Sequence, residues 1–194
     1  MYDVNTSIDS EGSGANFLDV GIHDDVELIK VEFKTSSEGS EFMVFQFEKD
    51  GKKLSHTEWK PRDEDDERLE NKTKNQIKRV KHIVTKFIPE DKYVFSVTDF
   101  KSFCENTINL LGETYKGKKV RIKVIYSFNN YTSLPRYVPF IELMSVDKTK
   151  LEILSIDKMK KEIPDANTSE SNPFKPKDKA NTELPTEVKS DLPF

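Results

Sequence analysis

The chain has a single cysteine, Cys104, which excludes an intramolecular disulfide and any zinc site built on paired cysteines. Its three histidines, His23, His56 and His82, have no metal-ligand spacing. There is no nucleophile elbow, and Gly12-Ser13-Gly14 is not followed by the strand and helix of a phosphate-cradling loop. The acids Asp63, Glu64, Asp65, Asp66 and Glu67 are consecutive, whereas catalytic divalent-metal sites draw carboxylates from separate elements; charges gathered at a helix start explain the run. The expectation is a protein that is not an enzyme and needs neither cofactor nor metal. No apolar run approaches the ~20 residues of a membrane span, and residues 1–10 lack the basic and apolar regions of a secretory signal. A cytoplasmic protein with no membrane partner follows as an expectation. No internal repeat is visible.

What is present is charge, unevenly distributed. Of the 194 residues, 34% are charged and 35% hydrophobic, enough for one core of roughly 120–150 residues with polar ends left over. Residues 1–29 carry seven acids and no Lys or Arg. Residues 68–136 reverse this, with fifteen Lys/Arg against six acids and a local net of +9, so the overall net of −4 conceals a basic centre. From Glu162 onward seven acids and four lysines stand among Asn, Ser, Thr and five prolines with few apolar residues, a disordered composition. Three segments are therefore expected: a flexible acidic arm over 1–16, a folded domain over 17–160, and a disordered acidic tail over 161–194. Acidic ends tethered to a basic middle can shield a polyanion site when it is empty.

The folded segment reads as β-β-β-α-α-β-β. Ile29, Val31 and Phe33 alternate with Lys30, Glu32 and Lys34 as a half-buried strand. A Ser/Gly turn leads to a second strand at Phe42–Phe47, and Asp50-Gly51 gives a tight hairpin into a third at Lys53–Lys60. Leu69, Thr73, Ile77, Val80, Val84 and Phe87 mark a helix that ends before Pro89. Thr98 is the expected cap of a second helix, with Phe100, Phe103, Cys104, Thr107, Ile108 and Leu111 on its face and Gly112 at its end. Val120, Ile122, Val124 and Tyr126 form a fourth strand, and residues 137–145 a fifth. Residues 150–161 fit either more sheet or a short helix. Five strands with helical material between the third and fourth match the oligonucleotide/oligosaccharide-binding (OB) arrangement, a partly open Greek-key barrel. Another small barrel or an α+β sheet fits the same order.

Single-stranded nucleic acid is held by cations that track phosphates and by rings that stack on bases. Arg121 and Lys123 alternate with the core residues of the fourth strand and are expected to project outward, beside Arg136. Phe128, Tyr131 and Tyr137 lie in or after a loop rich in Asn, Ser and Pro and are the stacking candidates. Trp59, Lys60 and Arg62, with His56, close the third strand as a second candidate group. Lys74, Lys78 and Lys81 share one flank of the first helix, with Arg79 turned nearly opposite the apolar stripe, and Lys118 and Lys119 precede the fourth strand. At the end of the tail, Asp191, Leu192, Pro193 and Phe194 make a docking tip. Proline restricts the approach, Phe194 fills an apolar pocket, and Asp191 with the terminal carboxylate meets a basic rim.

The tip, together with an aromatic second strand, Asp-Gly, a third strand closing on Trp59, basic helices, Gly117-Lys118-Lys119 before a Val/Ile strand, and Pro135-Arg136, resembles phage-encoded single-stranded DNA-binding (SSB-type) proteins. Cellular members of that family usually carry several consecutive acids where this chain has Lys189-Ser190-Asp191, and their tetramer is not carried over. The resemblance implies coating and protection of single-stranded DNA in replication or recombination. It also implies that the tip recruits a polymerase, helicase, recombinase or annealing protein. A protein–protein adaptor and a recombination mediator using the same tail are the alternatives.

Overall fold

The structure, a computed structural model, describes residues 16–128 and 130–161. Most of the expected acidic arm and nearly all of the expected tail, including Asp191, Leu192, Pro193 and Phe194, lie outside the described residues. The remainder is mainly β: an antiparallel sheet with two helices. The strands are β1 (Gly21–Thr35), β2 (Glu41–Lys49), β3 (Lys52–Trp59), β4 (Lys119–Tyr126), β5 (Thr132–Ser133) and β6 (Ile141–Leu143); the helices are α1 (Asp66–Val84) and α2 (Phe100–Leu111).

β1 is long enough to serve two partners, pairing with β4 along Gly21–Glu27 and with β2 along Glu27–Thr35. Its register slips between Leu28 and Lys30, so a bulge takes up Ile29 and turns it out to 37% exposure. The expected inward alternation therefore holds only beyond the bulge, at Val31 and, half-buried against the core, Phe33. Asp50 and Gly51 both have positive φ (51° and 79°), the geometry of the tightest hairpin turn, and set the β2–β3 register at Lys49 opposite Lys52. Of the strand expected over 137–145 only Ile141–Leu143 forms, as β6; a further short strand, β5, precedes that stretch at Thr132–Ser133, and both are antiparallel to β4. Between them stand Pro135 and Pro139, which have no amide hydrogen to donate to a ladder.

Asp65 caps α1 by accepting the Arg68 amide at 3.0 Å, and Asp66 and Glu67 occupy the first turn, which accounts for the acidic run through the helix dipole. The helix ends at Val84, one turn earlier than its apolar periodicity suggests. Its apolar stripe is not seated in the core before Val80: Leu69 and Thr73 are only half-buried and Ile77 is 41% exposed, while Gln76 is buried. Asp99, not Thr98, caps α2, its Oδ1 accepting the Ser102 amide at 2.9 Å, and Gly112 takes the positive φ at the other end. Val26, Leu28, Phe45, Phe47, Val120, Ile122 and Val124 from the sheet pack with Val80, Ile83, Val84, Phe103 and Leu111 from the helices. Each such side chain contributes about 1.5–3 kcal/mol by leaving water. Cys104 is fully buried in this cluster, and burial pushes its thiol up to about 12, so it is inert core.

The strand order β3-β2-β1-β4-β5 leaves an open sheet, and backbone pairing does not join β3 to β5. A side-chain contact links them: His56 Nδ1 on β3 lies 3.2 Å from Ser133 Oγ on β5. Among the described residues no helix is long and apolar enough to cross a membrane.

Candidate nucleic-acid interface

Where β3 faces β5, a groove of about 1280 Å3 opens between β3, α1 and the β4–β5 hairpin. Its floor is polar and fixed. The Glu58 carboxylate is buried and receives a two-pronged bond from Arg79 at 2.6 and 2.7 Å, with His56 Nε2 at 3.1 Å. Burial alone would raise the Glu58 carboxyl, but these bonds outweigh it and hold the group down at about 2. Gln76 donates to the Trp59 carbonyl at 2.7 Å, which is why this polar residue takes the inward position on α1.

The rim is aromatic and basic. Phe128 is 87% exposed, Tyr131 74% and Trp59 51%. The Trp59 ring is backed by Phe42, with centroids 4.4 Å apart, so it is presented as a supported plate. Six cations, Lys60, Arg62, Lys72, Arg79, Arg136 and Lys158, line the groove against the single carboxylate of Glu58. Lys60 pairs with Glu41 at 2.6 Å and Lys72 with Asp63 at 2.7 Å, exposed pairs worth about 0–1 kcal/mol and easily exchanged for a phosphate. Flat rings beside exchangeable cations can stack bases and hold a phosphate backbone.

No family model and no curated protein sequence matches the chain.

Trp59, Lys60, Arg62, Phe128, Tyr131, Arg136 and Tyr137 are thus brought together, although they come from two stretches far apart in the sequence. Lys74, Lys78 and Lys81 do not join them. Lys72, Asn75, Gln76 and Arg79 face the groove, whereas Lys74 pairs with Glu70 and Lys81 with Glu90 along other flanks, and Lys78 is exposed outside the groove lining. Arg79, expected to point away from the apolar stripe, instead bonds Glu58. Lys118 donates to the Phe87 carbonyl at 2.8 Å, and Lys119 lies 3.9 Å from Asp25; neither lines this groove.

Two cations of β4 require a correction. Arg121 and Lys123 alternate with core residues, but the outer face of β4 is not open. Arg121 bonds Asp24 and, at 2.6 Å, Glu142. Lys123 is 1% exposed, because residues 151–158 fold across the strand and cover it. Its ammonium meets Asp157 at 2.9 Å and the Tyr137 hydroxyl at 3.1 Å, and that hydroxyl also bonds Asp157. Burial would raise the Asp157 carboxyl; the bonds from Tyr137, the Leu154 amide and Lys123 instead hold it below its ordinary value. Tyr137 lines the groove with its hydroxyl already committed. Sequence reasoning missed Lys72, Asn75, Ile156 and Lys158. Lys72 follows from Arg79 by helical spacing, whereas Ile156 and Lys158 depend on a chain path that no periodicity announces.

Proposed function

We propose that this groove binds single-stranded DNA and that the protein coats and protects single strands during phage DNA replication or recombination. The observation that carries the reading is the meeting of three exposed rings, Trp59, Phe128 and Tyr131, around one groove with a large cation excess. Stacked bases contribute about 1–3 kcal/mol each with little sequence preference, and the cations add a salt-dependent share. Duplex bases present no free faces to such rings.

The finer fold reading belongs with this proposal. In an OB barrel, oligonucleotides bind on strands two and three and the loops after strands one and four. Here the groove runs along β3 and the loop after β4, while Arg62 in its wall donates to Ser40 in the turn after β1 at 3.0 Å. The His56–Ser133 contact then stands where a five-stranded barrel would close. In this reading the tip from Asp191 to Phe194 recruits a polymerase, helicase, recombinase or annealing protein, and no metal or cofactor takes part.

The test is fluorescence anisotropy of a labelled oligo-dT of about 30 nucleotides against a duplex of equal length. Submicromolar, salt-steep binding to the single strand alone is expected. Absence of binding would overturn the proposal in favour of a protein adaptor.

A further inference from the structure

Residues 151–161 form no helix or strand, yet they are fastened firmly across β4. Buried Lys123 holds the Glu152 carbonyl and Asp157 Oδ2, each at 2.9 Å. The same Asp157 oxygen accepts the Leu154 amide at 2.7 Å, its other oxygen accepts the Tyr137 hydroxyl, and the Tyr126 amide donates to the Lys158 carbonyl at 2.8 Å. A buried ion pair is a poor source of net stability, because desolvating both charges offsets much of their attraction; its value here lies in what it places. It places Ile156, 71% exposed, and Lys158 in the groove wall. It also brings the Lys158 ammonium to 5.9 Å from the Phe128 ring centroid and the Lys161 ammonium to 5.8 Å from that of Tyr126.

We infer that residues 151–161 are a third wall of the groove, in which Lys158 and Lys161 hold phosphates next to bases stacked on the β4–β5 hairpin, while Lys123, Asp157 and Tyr137 act as positioning residues. This rests on the single-strand reading of the groove. With Lys158 in place, Phe128 keeps 87% of its surface in solvent, so a base can stack without displacing the lysine. Lys123, which the strand pattern offers as a phosphate contact, thus serves the strand indirectly by fixing the segment that carries the contacts.

Salt dependence of oligo-dT binding by the full chain tests the inference, since each phosphate neutralised on a single strand contributes about 0.7 to the log–log slope. Lys158→Gln is expected to lower the slope by about 0.7 and to weaken binding severalfold at low salt. Lys148→Gln, at an exposed lysine outside the groove, is expected to leave the slope unchanged. In an Asp157→Asn background, where the fastening is weakened, adding Lys158→Gln is expected to produce less than half of its usual effect. An unchanged slope with Lys158→Gln, an equal loss with Lys148→Gln, or full additivity with Asp157→Asn each overturns the third wall while oligo-dT binding by the unaltered chain upholds the single-strand reading. If that chain does not bind, both fall. Should Asp157→Asn fail to fold, Lys158→Gln against Lys148→Gln still decides the matter.

Discussion

Phe128 and Tyr131 remain largely in solvent although burying either ring would contribute about 1.5–3 kcal/mol. Their removal therefore leaves the core untouched and isolates their effect on a ligand. Phe128→Ala and Tyr131→Ala are each expected to weaken oligo-dT binding by about 5–150-fold, the equivalent of 1–3 kcal/mol per stacked base, with an unchanged thermal midpoint. Tyr137→Phe should behave differently. It keeps the ring but deletes a hydroxyl bonded to a buried carboxylate, so a loss of about 1.5–3 kcal/mol in stability is expected by urea unfolding. Equal stability loss in all three variants would refute this division between platform and support. The exposed rings were legible in the sequence because their Asn/Ser/Pro-rich surroundings offer no core for them. The burial of Lys123 was not, since alternation names the face of a strand that a side chain occupies but not what later covers that face.

At the scale of elements, the polar joint between α1 and β3 and the half-buried His82 on the same helix make stability depend on pH. Glu58 sits at about 2 in the folded chain against an ordinary 4.5, so its contribution of about 3 kcal/mol is complete above the ordinary value and is lost as pH falls toward 2. His82 is pushed down from 6.5 to about 4 by burial and by Lys86, so the folded chain keeps it neutral where the unfolded chain takes up a proton. Stability is therefore expected to fall first between about pH 6.5 and 4, through His82, and further below 4.5, through Glu58. His82→Gln should flatten the upper part of that decline in urea midpoints measured across the range; an identical profile would assign the loss to other groups. The same elements show why local signals were readable. The Asp-Gly hairpin and both helices follow from turn chemistry, capping and spacing within a few residues. The bulge at Ile29 and the inward Gln76 arise from partners distant in sequence, which periodicity does not encode, whereas the shortening of the last strand to β6 goes with local prolines, Pro135 and Pro139.

For the whole molecule, charge is divided by position. The full chain carries a net −4, yet residues 16–161 have 27 Lys/Arg against 25 acids, so the negative excess belongs entirely to the two ends. Within residues 16–161, many acids stand in pairs, such as Glu58 with Arg79, Asp157 with Lys123 and Asp63 with Lys72; Arg79 and Lys72 belong to the groove, whose lining has six cations and the one carboxylate of Glu58. The function proposed above carries the expectation that the acidic charge of residues 162–194 opposes DNA binding as a tethered competitor. A chain ending at Lys161 is therefore expected to bind oligo-dT more tightly than the full chain at low salt. The difference should shrink as salt shortens the screening length from about 10 Å at 0.1 M to about 3 Å at 1 M. Removing only Asp191 to Phe194 should abolish capture of a replication or recombination partner and leave DNA affinity equal or tighter. Weaker DNA binding after either truncation would mean that the tail contributes to holding DNA, and the competition model would fail.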